Sequence, residues 1–111
     1  MPIIQRLIVV YKLWHSYFIR LDKIPRYSIG LRIDSLFLET IEYIFTASNK
    51  NREQKFIYLN KASEDFDLLK FLLQIAWQID VLAENKYIAL SKDLYEIGKM
   101  LGGWLKQYRP K

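Results

Sequence analysis

A chain of 111 residues, 51% hydrophobic and 15% aromatic, is too short for two cores and too apolar for disorder. It has no cysteine, which excludes a disulfide framework, a thiol nucleophile and a cysteine-based zinc site. Its net charge of +5 suits an anionic partner.

Ile4, Leu7, Tyr11, Trp14, Phe18 and Leu21 recur at steps of three and four, which predicts a first helix. It is expected to stop near Asp22, because Pro25 disfavours helical backbone at Ile24 and cannot donate the next hydrogen bond. The turn Lys23 to Ser28 then leads into a second helix, capped by Ser28 or a residue near Pro25. Gly30, Ile33, Phe37, Ile41 and Ile44 line one face of that helix, with Leu31, Leu38 and Phe45 beside them. Gly30 either permits close approach of another backbone or marks a frayed first turn. Ser48 to Arg52 reads as a loop, with Asn51 as the cap of a third helix running from about Arg52 to Ala83.

The third helix carries two apolar stripes. Leu59, Ala62, Phe66, Leu69, Leu73 and Ala76 form one; Leu68, Leu72, Ile75, Ile79 and Leu82 form another, turned roughly 100° around the axis. A narrow strip, Lys61, Glu64, Asp67, Lys70, Gln74 and Gln78, stays polar. Such a helix needs cover on most of its circumference, from two partner helices and from a contact between copies. Its length leaves an overhang around Lys55 to Ser63 to be covered or bent. Ala83 to Asn85 is a tight connection with Asn85 as a cap. Tyr87, Leu90, Leu94, Ile97, Leu101, Trp104 and Tyr108 then mark a fourth helix. No segment favours a strand. The expectation is one all-α domain, 1–111, an up-down-up-down antiparallel four-helix bundle.

The stretch nearest to a membrane span, Leu68 to Ala83, is broken by Lys70, Gln74, Gln78 and Asp80, and no signal peptide is evident. We expect a soluble, cytoplasmic protein without membrane association. His15 is the only histidine; Glu39 and Glu42 point outward and no Glu-x-x-His pair exists, so no metal site is expected. There is no phosphate-cradling glycine loop and no nucleophile signature, so neither catalysis nor a cofactor is expected.

Charge is uneven along the chain. Residues 1–26 hold five bases against Asp22, and residues 86–111 hold six against Asp93 and Glu96, while the middle is net acidic. Lys92, Lys99 and Lys106 lie seven apart and share one side of the fourth helix. Arg6 and Arg20 are similarly aligned on the first, and if those helices are neighbours the two columns would merge. With Lys12, Arg26 and Arg109 these residues are the candidate surface for nucleic acid or a protein partner. The alternative is a solvated face that aids solubility only.

Gly98, Gly102 and Gly103 interrupt the fourth helix, each at a cost of about 1 kcal/mol relative to alanine. They either leave room for a neighbour at Gly98 and Gly102 or end the helix; the continuing stripe at Trp104 and Tyr108 argues against an end. The run Glu96-Ile97-Gly98-Lys99-Met100-Leu101-Gly102-Gly103-Trp104-Leu105-Lys106 resembles the C-terminal signature of the accessory variability determinant proteins of diversity-generating retroelements. Ile24-Pro25-Arg26-Tyr27-Ser28-Ile29-Gly30 resembles the turn motif of that family.

The resemblance implies a four-helix protomer in a barrel-like homopentamer with a basic surface. It also implies two partners, the retroelement reverse transcriptase and template RNA or DNA, in support of error-prone copying. Gly30, Gly98, Gly102, Gly103 and Trp104 would be its packing residues. Similar four-helix proteins encoded within ribosomal-RNA intervening sequences offer the rival expectation, a structural oligomer without a nucleic-acid role.

Overall fold

Helical period carries through the chain as its apolar stripes predict, and the differences lie at the helix ends. The computed structural model describes residues 2–110. Met1 and Lys111 lie outside that range, and with Lys111 the end of Arg109-Pro110-Lys111, a short basic tail by its sequence. The elements are α1 (Pro2–Phe18), a single turn α2 (Lys23–Pro25), a π-helical turn (Arg26–Gly30), α3 (Leu31–Ser48), α4 (Arg52–Gln78) and α5 (Glu84–Tyr108). No strand occurs among the described residues. The four long helices form an antiparallel bundle in which α1 packs on α3, α3 on α4, α4 on α5, and α5 back on α1.

One core fills the bundle. The first α4 stripe is buried at every position from Leu59 to Ala76, against Leu7 and Trp14 of α1, Ile33 and Phe37 of α3, and Leu90, Leu94, Ile97 and Leu101 of α5. Burying each leucine, isoleucine or phenylalanine of this core stabilises the fold by about 1.5–3 kcal/mol. A polar bridge ties α1 to α3: the Asp34 carboxylate accepts from the Tyr11 hydroxyl at 2.9 Å and from Trp14 Nε1 at 3.1 Å. Burial, that hydrogen bond and the Asp34 charge push the Tyr11 hydroxyl up to about 12.

The first turn is placed differently from expectation. α1 ends at Phe18, short of Asp22, and the chain tightens through bonds from Arg20 to the Tyr17 carbonyl and from Leu21 to the Phe18 carbonyl. Helix resumes at Lys23, so Pro25 lies in a first turn, where a missing N–H leaves nothing unpaired. Ser28 caps nothing; its hydroxyl donates to the Ile24 carbonyl at 2.8 Å. Gly30 is buried against this turn. A Cβ there would lie 2.9 Å from the Pro25 carbonyl oxygen and 3.0 Å from Leu21 Cδ1, so the close approach is real and the frayed turn is not.

The third helix stops at Gln78 rather than near Ala83. Asp80 adopts φ 62°, its N–H bonds to the Trp77 carbonyl at 3.1 Å, and the Val81 N–H bonds to the Ala76 carbonyl at 2.9 Å. This is the double-bonded left-handed ending usually built on glycine, and it swings Leu82 into the core. Of the second stripe only Leu82 is therefore buried; Leu72 and Ile75 are half-buried and Leu68 and Ile79 exposed. No helix of the chain covers them fully. α5 begins at Glu84, three residues before Tyr87, with Ala83 rather than Asn85 at the cap position. The Asn51 cap forms as expected, its side chain accepting from the Gln54 N–H at 3.0 Å. With 27 residues in α4 and 25 in α5, against 17 in α1, the two long helices overrun together and α5 covers the overhang. No described helix is long and apolar enough to cross a membrane.

Candidate nucleic-acid interface

The lysine line of α5 forms, with Lys92, Lys99 and Lys106 all exposed. Lys99 is already engaged: its ammonium pairs with Glu96 at 3.2 Å and stands 4.8 Å from the Tyr95 ring centre. α1 is the neighbour of α5, yet the columns do not merge. α1 meets the side of α5 that carries Lys86, Asp93 and Ile97. Gln5, Arg6 and Val9 line a groove of about 280 Å³ with Asp93 and Ile97, and Lys86 lies 5.2 Å over the Tyr17 ring. Asp93 follows Lys92 directly, so the lysine line is turned roughly 100° away from Arg6.

The other predicted bases are dispersed. Lys12 is exposed on α1. Arg26 is half-buried, donates to the Ile19 carbonyl at 3.3 Å and lies 5.2 Å over the Tyr27 ring, so it closes the first turn. Arg20 lines a cleft of about 690 Å³ at the end of the bundle where α4 stops and α5 starts. Asp22, Asp80, Glu84 and Lys86 share that cleft, and its mixed sign gives a polyanion little to hold.

The opposite end is different in kind. There the start of α4 and the end of α5 run past α1, and the preceding loop joins them. Lys50, Arg52, Lys55 and Lys61 come from the loop and α4, Lys106 and Arg109 from the end of the chain, and residues 49–63 and 102–110 contain one acid, Glu53. Six bases thus stand against one acid in these two segments, with Glu42 added by the neighbouring stretch of α3 beside Tyr43. Among the described residues none of the six is in an ion pair.

Tyrosines stand where carboxylates would. Arg52 and Lys55 lie 5.3 and 5.1 Å from the Tyr108 ring centre. Lys61 lies 5.8 and 5.3 Å from those of Tyr43 and Tyr58, and Lys50 lies 5.8 Å from that of Tyr58. Such contacts steady a cation without neutralising it. Arg52 is fixed further by donation from Nη2 to the Gln107 carbonyl at 2.9 Å. Between the helix ends opens a second cleft of about 690 Å³, lined by Arg52, Glu53, Phe56, Ile57, Tyr108, Arg109 and Pro110. Of the bases at this end, the predicted set held Lys106 and Arg109 alone. The missed signal is the interleaving of Lys50, Arg52, Lys55 and Lys61 with Phe56 and Tyr58, hidden because the middle of the chain averages to a net negative charge.

The motif glycines divide. Gly98 faces Phe66, whose Cε2 would lie 3.3 Å from an added Cβ. Gly102 and Gly103 meet nothing within 4 Å, and helix α5 continues through them to Tyr108. They leave bare backbone on the exposed surface beside Lys99 and Lys106. Trp104 is half-buried and packs on the core from the last turns of α5. No three His, Cys, Asp or Glu side chains among the described residues gather into a group able to hold a metal.

The chain matches no curated protein and no solved structure. A family model described as bAvd-like matches residues 1–108, nearly the full length. That span takes in both the first-turn motif and the glycine-tryptophan motif of α5. The chain belongs to the bAvd-like family, the accessory variability determinant type that its turn and α5 motifs resemble.

Proposed function

We propose that this protein is a non-enzymatic accessory factor of a diversity-generating retroelement. It binds the element's reverse transcriptase and, through basic surfaces, the template RNA or its DNA copy, as a homopentamer in the cytoplasm. Family membership supports the accessory role. The observation that carries the nucleic-acid part is the gathering of six bases at one end, set against tyrosine rings and, among the described residues, in no ion pair. Lysine and arginine neutralise phosphates and release counterions, which gives affinity without base reading.

Self-association is supported by apolar side chains that no helix of the protomer covers: Leu31, Leu38 and Phe45 on α3, Ile8 on α1 and Ile19 just past its end, and Leu68 and Phe71 on α4 with Ile79 just past its end. Sedimentation at micromolar concentration should give one species near five times the 13.4 kDa chain mass. Mixed with the reverse transcriptase encoded beside it and template RNA, the protein should elute with both. A monomer that elutes alone overturns the proposal. A stable oligomer that ignores enzyme and RNA returns the protein to the structural-oligomer reading.

A further inference from the structure

We infer that the α4–α5 end is a site for unpaired nucleic acid, at which a base stacks on the Arg52 guanidinium; this rests on the nucleic-acid reading above. Duplexes present only phosphates and groove edges to such a surface, whereas an unpaired strand also offers base faces. Bases stack on aromatic rings and on arginine planes. Arg52 is held for that use. One nitrogen donates to the Gln107 carbonyl at 2.9 Å, the guanidinium rests 5.3 Å from the Tyr108 ring centre, and the side chain stays exposed with no carboxylate of the described residues paired to it. A base laid on Arg52 would extend a tier that begins at Tyr108.

The surroundings fit a strand rather than a single nucleotide. Lys55 and Arg109 flank the cleft next to Arg52, and Lys50 and Lys61 continue the basic surface over Tyr58. Phe56 and Ile57 give the cleft an apolar wall for a second base face. The cleft at the far end has similar size but carries Asp22, Asp80 and Glu84, so it offers no equivalent.

The conservative variant Arg52→Lys keeps the charge and removes the plane, which separates stacking from phosphate contact. The probes are a short single-stranded RNA with 2-aminopurine at one position and the blunt duplex of the same sequence, titrated at two salt concentrations. For the parent we expect quenching of 2-aminopurine on binding and tighter binding of the single strand. Arg52→Lys should weaken single-strand binding by about 5-fold or more and abolish the quenching. Duplex affinity and salt slope should be unchanged. Arg52→Gln should lower the salt slope as well. If the parent binds RNA but Arg52→Lys keeps the quenching and the single-strand preference, the stacking site is refuted and the general reading stands. If the parent binds neither form, both fall.

Discussion

At the scale of single residues, the glycines carry opposite loads although all lie in helical backbone. At Gly30 an added methyl collides with the Pro25 carbonyl and Leu21, which belong to a tight turn and have nowhere to go. Gly30→Ala should cost about 1–3 kcal/mol in urea unfolding. Gly102 and Gly103 face open space, so alanine there should gain about 0.5–1 kcal/mol each by restricting the unfolded chain. If the Gly102→Ala, Gly103→Ala double variant unfolds more easily than the parent, the bundle needs these glycines for packing and the account of α5 is wrong.

Asp65 is a second residue with a definite signature. Burial, the facing Glu39 charge and a hydrogen bond to Glu39 push its carboxyl up to about 6, with Arg32 pulling the other way. One Asp65 oxygen is buried without a partner, and a proton lets it donate to Glu39. Because the folded value lies above the ordinary 3.8, the folded state holds more protons than the unfolded chain between those two values. Stability therefore falls as pH rises through that window, and the penalty is complete above about 6. Asp65→Asn should be more stable than the parent at pH 7, on the order of 1 kcal/mol, with the difference gone near pH 4. A gap that does not change with pH would contradict this.

At the scale of elements, stripes were readable and helix ends were not. The α5 stripe is buried at Leu90, Leu94, Ile97 and Leu101, and the α4 strip Lys61, Glu64, Asp67, Lys70, Gln74 and Gln78 is exposed. Periodicity reports which way a side chain faces, and that depends on local geometry alone. The end of α4 depends instead on Asp80 taking a left-handed conformation that the sequence Gln78-Ile79-Asp80-Val81 does not advertise. Ile79 and Leu82 kept the apolar pattern alive beyond the true end. The same logic explains Pro25, which suits a first turn as well as a break. Asp80→Gly should stabilise the protein by about 1 kcal/mol, since glycine takes φ 62° without strain. A loss of melting temperature would mean that the Asp80 side chain contributes more than its backbone costs.

At the scale of the whole molecule, charge along the chain and charge in space tell different stories. Read linearly, the bases gather at the two termini of the sequence; folded, Lys50, Arg52, Lys55 and Lys61 join Lys106 and Arg109 at one tip. Antiparallel pairing of α4 with α5 makes that juxtaposition, because it sets the start of one against the end of the other, as the bond from Arg52 to the Gln107 carbonyl records. The family motif was legible because it is local. The tip was not, because it is assembled from segments about 55 residues apart.

The central claim is that this tip holds nucleic acid by its phosphates. The direct measurement is the salt dependence of single-stranded RNA affinity for the parent and for a variant with Lys50, Lys55, Lys61 and Arg109 all replaced by glutamine. Each phosphate contact on a single strand contributes about 0.7 to the slope of log affinity against log salt. The account predicts that the variant keeps its helicity and oligomer size while binding more weakly, with a slope shallower by as much as about 3. Equal slopes and equal affinities in parent and variant would contradict it.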